Sequence, residues 1–254
     1  MNLQIKNSTQ VYEADWSVFR KYLIDHYKQN EHVSLIGSTG CGKTTLALKG
    51  ILPLRSYVCV LATKPRDPQL SSLLKDGYDK LKEWPPKHPL WETKHLLWPP
   101  SKKMVQKVDQ RVIFSTALQD IYETGSYCVY IDELHYMIRE LRLEPELNML
   151  WQQGRSLNIS LVTSMQRPSH VPLLAYTQAT HLFFWRVNDE NDLKRIGGIG
   201  WQDSKVIRNV VAQLYGPVHT APKGKSNQFL YINTRSGDLI ISRLELNESS
   251  RAHR

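Results

Sequence analysis

Apolar residues form two kinds of pattern along this chain. Five short runs rich in β-branched and aromatic residues predict buried strands, at 32–36, 57–62, 127–131, 159–163 and 181–187. Between them, apolar residues recur at helical spacing and predict helices at 16–27, 44–52, 106–124, 145–151, from about 190, and at 204–214. Strands that alternate with helices are typical of an α/β fold, a mostly parallel sheet with helices on both faces.

Three smaller features complete this pattern. Residues 229–246 contain two alternating runs around Ser236 and Gly237, which predicts a C-terminal β-hairpin. Residues 95–98 predict a short added strand. Gly154 follows the helix at 145–151, and we expect it to end that helix as the residue just beyond its last turn.

The segment at 74–107 has a different composition. It holds five of the 13 prolines, three of the seven tryptophans and eight lysines against four acidic residues. It is either a packed irregular excursion or a basic, aromatic surface for nucleic acid or a partner. We expect it to belong to one domain over 32–246, with a helical lead-in at 1–31 and a flexible tail at 247–254.

Composition narrows the class of protein. The chain has 254 residues, of which 41% are hydrophobic and 22% charged, as in ordinary soluble domains. No apolar run approaches the about 18 residues of a membrane span, and the first residues lack the apolar core of a signal peptide. Cys41, Cys59 and Cys128 are expected to be buried free thiols. We therefore expect a cytoplasmic protein with no membrane contact. The net charge of +9 favours a polyanionic partner.

The most specific motif is HVSLIGSTGCGKTTLAL at residues 32–48, which fits G-x-x-x-x-G-K-[ST] between a predicted strand and a predicted helix. Glycines allow a tight turn whose N–H groups point inward and bind phosphate at a helix N-terminus. Lys43 would reach the β- and γ-phosphates of ATP, and the Thr44 hydroxyl would bind Mg²⁺. The alternative, a glycine-rich turn with an incidental Lys-Thr, does not explain why both sequence and context match.

A second acidic motif ends another predicted strand. In YCVYIDELHYM, residues 127–137, Asp132 would hold Mg²⁺ through water, which is the Walker B role. Glu133 would polarise a water molecule for attack on the γ-phosphate. The pair could instead be an acidic helix N-terminus. A small-molecule kinase must exclude water, so Glu133 favours a hydrolase.

These two motifs define a predicted nucleotide site. Its Mg²⁺ ligands are Thr44 and Asp132. The residues expected to bind nucleotide are Gly37, Ser38, Thr39, Gly40, Cys41, Gly42, Lys43, Thr44, Thr45 and Asp132.

Two polar residues flank the predicted strand at 159–163. Gln166 follows the strand and would meet the nucleotide site, where its amide would sense the γ-phosphate or orient water; alternatively it bonds the backbone of the turn before Pro168. Arg155 precedes the strand, so it points from the opposite side of the sheet. It could reach a neighbour's nucleotide in a head-to-tail ring, or it could simply interact with a helix C-terminus.

With these residues assembled, residues 30–245 resemble the FtsK–HerA superfamily of DNA-pumping ATPases, and most closely its viral and mobile-element genome-packaging members. The resemblance rests on GSTGCGKTT, YIDE, QQGRS, TSMQRP and the predicted hairpin. It implies a P-loop fold of the RecA, additional-strand type, with Lys43 and Glu133 in catalysis, Arg155 as an arginine finger in trans and Gln166 as a sensor. It also implies a homo-oligomeric ring, a hexamer or pentamer, around double-stranded DNA.

The sequence therefore predicts an ATP-hydrolysing DNA translocase that packages viral or mobile-element DNA. Its expected partners are DNA of any sequence and, if the chain is viral, a procapsid, with a location in the host cytoplasm or associated with virions. Two alternatives stay open, an ATP-switched DNA-binding or scaffold protein and a phage assembly ATPase of the Zot type. The latter should carry a membrane span.

Overall fold

The apolar runs form strands of one sheet in the computed structural model of the chain, which describes residues 10–86, 94–170, 172–198, 204–217, 221 and 226–245. The tail at 247–254 lies outside the described residues. The strands are β1 Val11–Glu13, β2 His32–Ile36, β3 Val58–Leu61, β4 Asp79–Leu81, β5 Lys94–Leu97, β6 Cys128–Ile131, β7 Ser160–Met165, β8 Ala179–Trp185, β9 Gln228–Asn233 and β10 Leu239–Arg243.

These strands are hydrogen-bonded in the order β1-β10-β9-β8-β2-β7-β6-β3-β5-β4. Seven neighbouring strands from β8 to β4 run parallel. β9 is antiparallel to both β8 and β10, so the predicted hairpin extends the parallel sheet directly. The sheet confirms the predicted α/β class.

Helices cover the sheet between the strands. They are α1 Trp16–His26, α2 Lys43–Leu46, α3 Pro68–Ser71, α4 Ser101–Val105, α5 Lys107–Thr124, α6 Leu134–Arg139, α7 Glu144–Gln153, α8 Leu174–Thr177, α9 Glu190–Gly197 and α10 Ser204–Gln213. In the described part of the chain, no helix has the length and apolar content needed to cross a bilayer.

Two hydrophobic cores lie on opposite faces of the sheet, because successive side chains of a strand point to opposite sides. In β6, Val129 and Ile131 pack in the core with α5, α6 and α7, whereas Cys128 and Tyr130 pack in the core with α1 and α2. The helices therefore lie on both faces, as predicted. All three cysteines are buried free thiols, which is also as predicted.

Two predicted helix ends differ from the structure. The helix expected at 44–52 is α-helical only to Leu46 and continues as a π-helical turn, Ala47–Ile51. Gly154 is right-handed, with φ −58°, and begins a 3₁₀ turn that includes Arg155; the left-handed residue is Asn158, with φ 58°. A Cβ on residue 154 would lie 3.3 Å from the side chain of Ile159, so close packing explains the glycine there.

Two of the three tryptophans in the excursion at 74–107 are buried. Trp84 and Trp98 are 7% and 6% exposed, and their indole N–H groups donate to the Asp120 carboxylate and the Lys64 carbonyl. Their rings therefore belong to the core and do not offer stacking surfaces for bases. Trp91 lies outside the described residues. The short strand predicted at 95–98 is present as β5.

Candidate nucleotide-binding site

The carboxyl ends of three neighbouring strands bring the predicted site residues together. β7 lies between β2 and β6, with Ile36 opposite Met165 and Ile131 opposite Thr163. The next residues along each strand are Gly37, Gln166 and Asp132, so all three start their loops at the same edge. Parallel α/β sheets bind their ligands at this edge.

The phosphate-binding loop, residues 37–44, has the backbone that its glycines predict. Gly40 and Gly42 have φ of 79° and 104°, a left-handed conformation that side chains with a Cβ rarely adopt. Gly42 directly precedes α2. The loop therefore leads directly into a helix N-terminus, where backbone N–H groups stabilise an anion.

Lys43 lies inside this loop. Its Nζ donates to the carbonyls of Gly37 at 2.6 Å and Ser38 at 2.8 Å, and its side chain is buried. Burial raises the pKa of the adjacent Cys41 thiol although the Lys43 charge opposes it, so that thiol stays protonated. A phosphate oxygen would be a stronger acceptor for the ammonium group than these neutral carbonyls.

Thr44 and Asp132 meet across the site. The Thr44 hydroxyl donates to Asp132 Oδ1 at 2.7 Å, and the same oxygen accepts the Tyr130 hydroxyl at 2.7 Å. Hydroxyl and carboxylate oxygens are the ligands that Mg²⁺ prefers beside substrate phosphates. Thr44 and Asp132, the predicted pair, would therefore hold Mg²⁺ here, where it would neutralise charge on the phosphates.

Glu133 and Gln166 form a second connection. Gln166 Nε2 donates to Glu133 Oε2 at 2.7 Å, and Gln166 Oε1 accepts the hydroxyl of Thr39 at 3.0 Å. The amide therefore joins the acidic residue to the tip of the phosphate-binding loop. This contact disfavours the alternative in which Gln166 bonds only its own turn.

The sequence analysis missed two residues of the candidate nucleotide site. Lys64 follows β3, and its Nζ lies 3.4 Å from Asp132 Oδ2. The rule that ligands bind beyond the carboxyl ends of parallel strands, which identified Gln166, could also have identified Lys64. Tyr130 lies within β6 and bonds both Asp132 and Ser164. Burial, followed by the Asp132 charge, holds the pKa of Tyr130 well above its ordinary value, so the hydroxyl remains a donor. No sequence signal marks a tyrosine inside a strand as polar support.

Arg155 lies at the opposite edge of the sheet, as predicted. Its Nη2 donates to the Gln178 carbonyl and the Thr180 hydroxyl, each at 3.0 Å. The six residues of β7 separate this edge from Gln166 by about 20 Å. Arg155 therefore does not join the cluster formed by Lys43, Asp132 and Glu133 in the same chain.

The buried carboxylate of Glu31 and the exposed guanidinium of Arg235 lie near Arg155 at this edge. Glu31 binds His181 Nε2 at 2.8 Å and Arg235 Nη1 at 2.8 Å. Burial alone would raise the pKa of Glu31, but hydrogen bonds from His181 and from the Lys28 N–H hold it below its ordinary value. Burial, followed by the Arg235 charge, lowers the pKa of the Arg155 guanidinium. The arginine is thus held in a preformed polar cluster.

Comparison with known proteins supports this geometry at the level of fold. No family model and no curated protein matches the sequence. Among solved structures, the chain is similar to the genome packaging NTPase B204 from Sulfolobus turreted icosahedral virus 2 in complex with AMPPCP, with a TM-score of 0.61 and 15% identity over 86% of this chain and 100% of that one.

Two further structures share the fold. The DNA-packaging ATPase B204 from Sulfolobus turreted icosahedral virus has a TM-score of 0.61 and 19% identity, over 86% of this chain and 100% of that one. The cytoplasmic domain of the type VII secretion ATPase EccC from Thermomonospora curvata has a TM-score of 0.51 and 14% identity, over 86% of this chain and 26% of that one. These neighbours confirm the predicted fold.

Proposed function

We propose that this chain is an ATP-hydrolysing DNA translocase that packages viral or mobile-element double-stranded DNA. The observation that carries the proposal is the contact of Glu133 with Gln166 beside the Thr44–Asp132 pair. A carboxylate next to the Mg²⁺ ligands serves to activate water, which favours hydrolysis over transfer to another acceptor.

Each residue has a distinct task in the proposed reaction. Lys43 and the loop N–H groups bind the β- and γ-phosphates, while Thr44 and Asp132 hold Mg²⁺, which supplies charge neutralisation on the phosphate oxygens. Glu133 accepts a proton from the attacking water. Gln166, bonded to Glu133 and Thr39, orients the carboxylate and senses the γ-phosphate.

DNA as the track is supported by charge and by the neighbours. The chain has a net charge of +9, and two neighbours are named as packaging enzymes for viral genomes or DNA. A packaging motor cannot depend on base identity, so its contacts should be to phosphates.

We propose that several copies of this chain form a homo-oligomeric ring that docks on a procapsid. The ring would act in the cytoplasm of a host, without membrane contact.

Arg155 is proposed to act across a subunit boundary. It lies about 20 Å from the site in its own chain, at the edge where a head-to-tail neighbour would approach. A guanidinium supplied in trans stabilises charge on the transferring phosphoryl group. To reach a neighbour, Arg155 would exchange its bonds to Gln178 and Thr180 for phosphate oxygens.

The test is ATP hydrolysis by the purified full chain, with and without duplex DNA. We expect activity that increases with duplex DNA of any sequence and is lost in Lys43→Ala, because that variant loses charge-assisted phosphate contacts. Hydrolysis that is indifferent to DNA in an assembled ring would overturn the translocase proposal and favour an ATP-switched DNA-binding or scaffold protein.

A further inference from the structure

We propose that Arg235, in the turn between β9 and β10, is a second arginine that each subunit supplies, together with Arg155, to the ATP bound by a neighbouring copy of this chain. The proposal rests on the proposed function, because it adds a residue to the site that Arg155 is proposed to complete. The sequence predicts only that Arg235 lies in a hairpin, and the folded chain shows which groups surround it.

The direction of β9 places Arg235 at the same edge of the sheet as Arg155. β9 is antiparallel to β8, with His181 opposite Asn233, so β9 ends where the parallel strands begin. Arg155 lies before β7, at that same edge. The length of a strand therefore separates Arg235 from the nucleotide site of its own chain, and it could contact a nucleotide only in another copy.

Thr180, near the start of β8, connects the two arginines. Its hydroxyl accepts Arg155 Nη2 at 3.0 Å, and its carbonyl accepts the Thr234 N–H at 2.9 Å. Arg235 is the residue after Thr234, and its own N–H donates to the side chain of the buried Asn233 at 3.0 Å. Hydrogen bonds therefore fix the backbone of Arg235 close to the Arg155 side chain.

The buried carboxylate of Glu31 interacts with both guanidinium groups. Its Oε1 lies 2.8 Å from Arg235 Nη1, while its Oε2 is held by the Lys28 N–H and by His181 Nε2, each at 2.8 Å. Burial, and after it the charge of Arg235, lowers the pKa of Arg155, while the charge of Glu31 raises it. The two arginines and the carboxylate thus form one electrostatic cluster.

This cluster carries an excess of positive charge. Burial lowers the pKa of His181, so the imidazole is neutral at neutral pH. Among the described residues of the cluster, two guanidinium charges therefore face one carboxylate. Two like charges at close range repel each other, and a bound anion removes that repulsion. A phosphate oxygen, which forms strong charge-assisted hydrogen bonds with arginine, fits such a site.

The Arg235 side chain is available to a neighbour. It is 57% exposed, and its ion pair with Glu31 uses Nη1. A guanidinium group has five N–H donors in a planar fork, so Nε and Nη2 can face phosphate oxygens while Nη1 stays on Glu31. Arg235 could therefore bind a neighbour's nucleotide without leaving its own carboxylate.

The proposed reaction needs positive charge at this point. Water attacks the γ-phosphorus, the bond from that phosphorus to the oxygen shared with the β-phosphate breaks, and Glu133 takes the proton. Negative charge is spread over the γ-phosphate oxygens and the leaving oxygen as this happens. Two guanidinium groups can stabilise that charge at more than one oxygen, which one arginine alone cannot do.

The first experiment measures ATP hydrolysis by assembled rings of the full chain on duplex DNA. Arg235→Ala should lower kcat by about 10- to 150-fold, the loss of one hydrogen bond to a charged group, and leave KM within about 3-fold. Arg235→Lys keeps the ion pair with Glu31 but loses the planar fork, so it should unfold in urea like wild type and still lose at least about 5-fold in kcat.

Arg243 provides the matched control. It lies on the other strand of the same hairpin and pairs with Glu245 at 2.7 Å. Arg243→Ala also removes one arginine and one ion pair, but at the opposite edge of the sheet, and it should stay within about 2-fold of the wild-type kcat.

Mixed rings test whether Arg235 acts across the subunit boundary, which an arginine with a purely structural role would not do. Mixing Arg235→Ala with Lys43→Ala creates interfaces in which an intact Arg235 faces an intact nucleotide site, so hydrolysis should rise above that of either pure ring. Mixing Arg235→Ala with Arg155→Ala should give no such rise, because each edge then lacks one of the two arginines.

Four outcomes would overturn the proposal. They are wild-type kcat in both Arg235 variants, a rise in rings that mix Arg235→Ala with Arg155→Ala, a chain that stays monomeric with ATP and DNA, and rescue of Arg155→Ala but not of Arg235→Ala by Lys43→Ala. The last would leave the proposed function intact and make Arg235 structural. The expected rescue pattern without stimulation by DNA would instead support Arg235 and overturn only the translocase function.

Discussion

Gln166 donates a hydrogen bond to Glu133, with 2.7 Å between Gln166 Nε2 and Glu133 Oε2. The same amide accepts the Thr39 hydroxyl at 3.0 Å, so a three-residue path joins the acidic residue to the phosphate-binding loop. A γ-phosphate bound at the loop would compete for the Thr39 hydroxyl and the Gln166 amide. We therefore expect nucleotide binding to change the orientation of Glu133.

Glu133→Gln should stop hydrolysis and leave nucleotide binding intact. The substitution keeps the shape of the side chain but removes its basicity, so the rate constant for hydrolysis should fall about 10²- to 10⁴-fold. Steady-state phosphate release and equilibrium ATP binding measure the two effects. Wild-type turnover in this variant would show that Glu133 is not the base.

Thr39→Val should lower kcat more than it raises KM, because it removes the hydroxyl that holds Gln166 and keeps the branched shape. Thr39→Ser retains the hydroxyl and is the matched control, expected to stay within about 2-fold of wild type. Losing one hydrogen bond of about 1 kcal/mol corresponds to roughly a 5-fold change. Equal turnover by Val and Ser variants would remove Thr39 from the path.

Arg155→Ala should lose activity and be partly rescued in mixed rings if the residue acts across subunits. Mixing it with Lys43→Ala creates some interfaces in which an intact nucleotide site faces an intact arginine. The expected loss in the pure variant is about 10³- to 10⁵-fold by analogy with arginine fingers of GTPases. No rescue at any ratio, in rings shown to be mixed, would indicate action within one chain or a structural role.

Neutralising Lys102, Lys103 and Lys107 tests whether the 74–107 excursion contacts DNA. The slope of log affinity against log salt is about −0.9 for each phosphate neutralised on duplex DNA, and it should flatten in the triple variant. Two of these lysines also form ion pairs, Lys103 with Glu83 and Lys107 with Glu140.

The matched control for this test neutralises three exposed lysines outside the excursion, Lys21, Lys28 and Lys194, and has the same net charge. It should leave the slope of the wild type unchanged. An equal slope in both triple variants would show that Lys102, Lys103 and Lys107 do not contact DNA, and would favour a capsid or a neighbouring subunit as the partner of the excursion.

His32 should make the free energy of unfolding depend on pH. Burial, followed by the Arg155 charge, lowers the pKa of His32 to about 4. In the unfolded chain the pKa of His32 is about 6.5, so the unfolded chain takes up a proton first as the pH falls. The contribution of neutral His32 to the free energy of unfolding is therefore complete above about pH 6.5. It decreases by about 3 kcal/mol as the pH falls toward 4.

Urea unfolding at several pH values measures this effect. His32 Nδ1 accepts the Leu161 N–H at 3.0 Å, and an asparagine oxygen can accept the same bond. His32→Asn should therefore be less sensitive to pH between 6.5 and 4 than wild type. A parallel pH dependence of both proteins would assign the acid sensitivity to other groups, such as His181, whose pKa burial also lowers.

The phosphate-binding loop and its edge could be predicted because they depend on local chemistry. Gly42 needs a left-handed backbone, Asp132 and Gln166 each end a buried run, and parallel strands bring such ends together. These signals lie within a few residues of the side chains concerned.

The features that could not be predicted depend on contacts between segments that are far apart in the sequence. The three residues Val11–Glu13 are too few to show an alternating pattern that would predict a strand. They form β1 because they pair with β10. Trp84 and Trp98 lie in a proline-rich, basic segment, yet both are buried. Their indole N–H groups donate to the Asp120 carboxylate and the Lys64 carbonyl, which stabilises the rings in the core. A sequence shows the charge around a tryptophan but not its hydrogen-bond partner.

The position of β2 in the sheet has a consequence for how the chain folds during synthesis. β2 is paired with β7 and β8, and Ser34 faces Thr163, 129 residues later. At about 5–20 residues per second, a ribosome needs roughly 6–26 s to deliver that partner. During this interval an apolar strand has both of its backbone edges open, although α1 and the phosphate-binding loop have already emerged. Aggregation therefore competes with folding while the nascent chain contains β2 but not yet β7. A chaperone would be needed during the same interval.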